Sequence, residues 1–128
     1  MEDILSNVNW IAVVAGAVVS FLTAWLWYSP KLFGEGWAEG VKVKLEPDDE
    51  PEASSLLLLF VGLFLLSWFI GILNSTGMLL TAILGVAAFI LIEYAGGMFM
   101  KHSRYSRLTD AGFWVVCAVI MIASQVIL

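Results

Sequence analysis

Four stretches of the chain are almost free of charge: Trp10–Tyr28, Ser55–Leu73, Gly77–Met100 and Ala111–Leu128. A run of about 18 or more apolar residues is long enough to cross a bilayer as a helix. The pattern therefore predicts an all-α membrane protein with four transmembrane helices over residues 10–28, 55–73, 77–100 and 111–128. A different pattern follows the first stretch. Phe33, Trp37 and Val41 recur every four residues and would form one apolar stripe, with Lys31, Glu35 and Glu39 elsewhere on the wheel. That arrangement predicts a short interfacial helix after helix one, lying on the membrane surface. Gly34, Gly36 and Gly40 work against it, at about 1 kcal/mol each relative to alanine. Residues 43–54, with Pro47, Pro51 and the acidic run Glu46–Glu52, read as an irregular solvated loop.

Composition narrows the architecture. The chain of 128 residues is 61% hydrophobic and 13% charged, where a soluble domain carries about 25% charged residues. The four stretches leave no room for a second folding unit, so residues 1–128 read as a single membrane domain. The leading segment Met1–Val8 is acidic, and no small-x-small site follows the long first stretch, which separates it from a cleaved signal peptide. All six Lys and Arg residues fall in two loops: Lys31, Lys42 and Lys44 after helix one, and Lys101, Arg104 and Arg107 after helix three. The positive-inside rule then predicts two hairpins of the same orientation, both basic loops in the cytoplasm and both termini outside, in the cell (inner) membrane. The net charge of −5 gives no basic footprint for nucleic acid.

Local signals mark the helix ends. Pro30 cannot continue helix one. Lys101 suits the negative end of helix three, Thr109 is a candidate cap for helix four, and Asp110 is then placed in its first turn. Ala12, Gly16, Ser20 and Ala24 follow at four-residue spacing and predict a small-residue packing face on helix one. Thr81, Gly85, Glu93 and Gly97 do the same on helix three, interrupted by Phe89. The first face serves packing within the monomer or, alternatively, a homo-oligomer.

The segment Trp27–Trp37 reads WYSPKLFGEGW, and Asn9–Trp10 heads helix one. Together these residues resemble a family of small four-span membrane proteins known as domain of unknown function 1761. The shared positions are Asn9, Trp10, Trp27, Tyr28, Ser29, Pro30, Phe33, Gly34 and Trp37. The resemblance implies the fold and the membrane location, and no activity. On physical grounds Trp10, Trp27, Tyr28, Pro30, Phe33 and Trp37 are expected to anchor the chain at the interface, where Trp and Tyr collect.

Glu93 is the only charged residue inside the four stretches. A carboxyl group there is costly and marks a candidate site. Counting about 1.5 Å per residue from the helix ends places it at the level of Leu22–Thr23 and Cys117–Ala118, with no basic residue beside it. The expectation is a neutral acid, hydrogen-bonded to Ser20, Thr23 or a backbone carbonyl. It either glues helices together or forms a proton or cation site with Thr23 and Ser20. No cluster has metal-ligand spacing, and no nucleophile has an evident base, so neither an enzyme nor a metal or other cofactor is expected. Lone Cys117 reads as a packing residue. The expected partners are the lipid bilayer, further copies of the chain and other membrane subunits. The expected role is a non-catalytic homo-oligomer, scaffold or accessory subunit, with an oligomeric proton- or cation-coupled transporter or channel as the alternative.

Overall fold

The computed structural model describes residues 7–42 and 53–128, all helix and connecting turns. The acidic run of the first long loop lies outside the described residues. The helices are α1 (Trp10–Trp27), α2 (Gly34–Gly40), α3 (Ala53–Ser75), α4 (Leu79–Phe99) and α5 (Arg104–Ile127). All but α2 are long and apolar enough to cross a membrane. α1 packs along both α3 and α5, and α4 packs along the same two. α1 and α4 therefore stand at opposite corners of the bundle, with α3 and α5 between them.

The small-residue face of α1 explains its position. In lipid, helices gain little from burying apolar surface and associate by close backbone approach and interhelical hydrogen bonds. Ala12, Gly16, Ser20 and Ala24 are all buried. A β-carbon on Gly16 would lie 2.8 Å from Ser67 Oγ of α3 and 3.4 Å from the Met121 backbone of α5. One missing side chain thus lets two helices close on α1. Ser67 Oγ also donates to the Val13 carbonyl at 2.8 Å. Phe113, Leu63, Ile70 and Met121 fill the centre.

The face predicted for α4 is corrected. Its inner stripe runs Ala82, Val86, Ile90, Glu93 and Gly97, while Thr81 and Gly85 are exposed. Strict four-residue spacing advances about 40° per step on a helix of 3.6 residues per turn. Thr81 and Gly97 are four such steps apart and cannot share a narrow face. α1 tolerates the same drift because two helices bury it.

The start of α5 also differs from the expectation. The helix begins at Arg104, seven residues before the predicted Ala111. Ser103 is its cap, its hydroxyl accepting from the Ser106 N–H at 3.1 Å. Thr109 is mid-helix and donates instead to the Tyr105 carbonyl at 2.7 Å. Helix propensity and a good cap carried the helix beyond the apolar run, so Asp110 sits in the second turn.

Two turns share one design. After α3, Met78 N–H bonds to Leu73 O and Gly77 N–H to Asn74 O, with Gly77 at φ +73. After α4, His102 N–H bonds to Gly97 O and Lys101 N–H to Met98 O, with Lys101 at φ +58. Both are Schellman caps, which need a left-handed residue in the place Gly77 and Lys101 occupy.

Candidate functional site

The segment Trp27–Trp37 and Glu93 lie toward one end of the bundle, the end that carries Lys31, Lys42, Lys101, Arg104 and Arg107. Past α1 the chain turns at Ser29–Pro30 and folds back. Phe33 N–H bonds to the Trp27 carbonyl at 3.2 Å and Gly34 N–H to the Ser29 carbonyl at 3.0 Å. A β-carbon on Gly34 would collide with the Tyr28 carbonyl oxygen, so this turn needs glycine for space.

Helix α2, the short helix expected after helix one, lies against the start of α5. The two glycines that weaken it as a helix are what bring it close. A β-carbon on Gly36 would lie 2.5 Å from the Tyr105 ring, and one on Gly40 would strike Ser103 and Ser106. Ser106 Oγ donates to the Trp37 carbonyl at 2.8 Å, and Ser103 N–H to the Gly40 carbonyl at 3.0 Å.

The aromatic residues of the motif face inward as well as outward. Trp27 Nε1 donates to the Thr109 carbonyl at 3.0 Å. Its ring stands 4.8 Å from Phe33 and 6.4 Å from Phe113. Tyr28 packs edge-on against Trp37 and Phe113 at 5.2 and 5.5 Å. Its hydroxyl donates to Asp110 Oδ1. Pro30 is exposed. Trp10, at the other end of α1, packs on Trp68 and Phe64 of α3 at 5.3 and 6.4 Å.

On the far side of α5 a small cleft separates it from α4. Glu93, Tyr94 and Gly97 line it from α4, and Arg107, Asp110 and Trp114 from α5. It has room for about one water molecule. Trp114 stands with the half-buried Glu93 carboxyl in the lining, and Asp110 and Tyr28 lie within electrostatic range of it. Arg107 crosses α4 at Gly97, where a β-carbon would lie 2.9 Å from Arg107 Cγ. Its guanidinium carbon stands 5.0 Å over the Tyr94 ring, and its Nε donates to the Ser103 carbonyl at 3.4 Å. The cleft thus gathers two carboxyl groups, one guanidinium, a phenol and an indole.

This surrounding differs from the one expected for Glu93. Ser20 and Thr23 belong to α1, at the opposite corner of the bundle. Thr23 donates its hydroxyl to Val19 O at 2.8 Å, and Ser20 is buried beside Cys117. Depth along a helix axis predicts level and not neighbour. The level itself shifted because α5 starts early, which brings Asp110 and Trp114 alongside Glu93 where Cys117–Ala118 were expected. Asp110 and Arg107 are the site residues that sequence reasoning missed. Their signal was present: Arg107, Asp110, Ala111 and Trp114 follow helical spacing and form one face once Ser103 is taken as the cap. Among the described residues no group of three or more His, Cys, Asp or Glu is placed to hold a metal ion.

No curated protein and no solved structure matches the chain. A family model described as Protein of unknown function (DUF1761) matches residues 11–124, nearly its whole length. The chain belongs to that family.

Proposed function

We propose that this chain is a non-catalytic integral membrane protein that works as a homo-oligomer, scaffold or accessory subunit in direct contact with lipid. The observation that carries this reading is the exposure of α4. Leu80, Leu84, Leu91 and Ile92 are each at least 70% exposed along a helix of membrane-spanning length. Such a surface is stable against lipid or against another apolar helix, and not against water. The basic residues gathered at one end favour insertion into the cell membrane with that end in the cytoplasm. Gentle extraction followed by native mass spectrometry tests the reading. The expected result is an oligomer, or a complex with retained lipid or partner. A bare monomer free of lipid overturns it.

The α4–α5 cleft favours a second reading, an oligomeric proton- or cation-coupled transporter or channel that uses Glu93. Proteoliposomes would show flux that Glu93→Gln abolishes. Background leak alone from the native protein excludes it.

A further inference from the structure

We propose that Glu93 and Asp110 act as one carboxyl pair that holds a single exchangeable proton in the α4–α5 cleft. The proposal rests on the second reading above, since it names the ion and the partner group for the Glu93 site. The charge inventory is the starting point. The titratable groups lining the cleft are Glu93 and Tyr94 from α4 and Arg107 and Asp110 from α5, and the Tyr28 hydroxyl at the end of α1 bonds to Asp110. His102, in the α4–α5 turn, lies beside Gly97, where a β-carbon would stand 3.7 Å from its Nδ1. The described part of α3 brings no titratable side chain.

Two carboxylates and one guanidinium leave one negative charge uncompensated. In a poorly hydrated place two neighbouring carboxyl groups resist ionising together. One added positive charge restores neutrality. The cleft has room for about one water, so a hydrated metal cation does not fit. A calcium or magnesium ion would also want six or more oxygen ligands, and the guanidinium would repel it. A proton meets both limits. It passes from water to a carboxylate oxygen, forming one O–H bond and releasing a water molecule from hydronium.

The two acids are not equivalent. Asp110 accepts from the Tyr28 hydroxyl. Glu93 sits deeper from the basic end, against Trp114. Because Asp110 also holds Tyr28, the proton on this pair is one residue from the turn that docks α2.

Infrared difference spectroscopy of the full chain in lipid, across neutral pH, tests the pair. Exposed carboxyl groups are ionised there, so the protonated C=O band isolates the buried one. The native chain should show one such band. Glu93→Gln should abolish it, and so should Asp110→Asn, because a lone Glu93 facing Arg107 ionises. An isolated buried Glu93 would instead keep its band in Asp110→Asn, which overturns the pair. Should Asp110→Asn fail to fold, Arg107→Gln keeps both acids. It should raise the band about twofold, and an unchanged band overturns the proposal. Flux plays no part in these readings. A shared proton without flux removes transport and leaves the pair, whereas flux with an isolated Glu93 does the reverse.

Discussion

Helix α5 has two sides of opposite character. Toward α1 and α2 it is closed by missing side chains, interlocked rings and hydrogen bonds: Gly36 and Gly40 against Tyr105 and Ser106, Trp27 on Thr109, Ser106 on Trp37. Toward α4 it meets a helix with only Ala82 and Val86 buried, across a cleft lined by charge. The family motif builds the first side. The groups able to exchange a proton line the second. A tight joint next to a loose polar one is how a small bundle can hold a costly carboxyl pair without losing its fold, since the packing that defines the structure lies elsewhere.

This contrast can be broken by adding one methyl group on each side. On the tight side Gly34→Ala places a β-carbon onto the Tyr28 carbonyl oxygen, a backbone atom that cannot step aside. The expected loss is about 3 kcal/mol, the upper part of the range for overpacking, read from unfolding in detergent. Stability equal to the native protein would show that the turn after α1 is not the tight joint described.

The two Schellman turns give an intermediate test away from either side. Lys101 occupies a left-handed position that Gly77 fills without strain in the sister turn. Lys101→Gly should stabilise the chain by about 1 kcal/mol, and Gly77→Ala should destabilise it by a similar amount. Equal and unchanged unfolding midpoints would mean that these turns do not constrain the hairpins.

On the loose side Gly97→Ala meets Arg107 Cγ at 2.9 Å, part of a flexible side chain that can swing away. Strain and the gain in helix propensity nearly offset, so the expected change is within about 0.5 kcal/mol. A loss as large as that of Gly34→Ala would erase the distinction between the two sides.

Much of the fold was legible because lipid imposes simple rules on sequence. Charge-free runs marked the four long helices to within a few residues at most ends, and small residues marked the buried face of α1. The start of α5 was not legible from hydropathy, because Arg104–Asp110 are polar and their helix is set by the Ser103 cap. That one displacement concealed half of the candidate site, since Asp110 and Arg107 were read as belonging to a loop and its first turn. Glu93 could be singled out by its cost alone. Its neighbours could not, because which helices stand side by side depends on packing across the whole bundle. The contacts of the motif rings with α5 were hidden in a related way, since they are written partly in glycines that look unfavourable for a helix.

The placement of Glu93 opposite α5, and not beside α1, is the claim on which the rest stands. A short thiol cross-linker applied to double-cysteine variants in a Cys117→Ser background measures it directly. Glu93→Cys paired with Trp114→Cys should cross-link within one chain, detected by mass spectrometry, while Glu93→Cys paired with Thr23→Cys should not. Efficient joining of residues 93 and 23, with none between 93 and 114, would contradict the account.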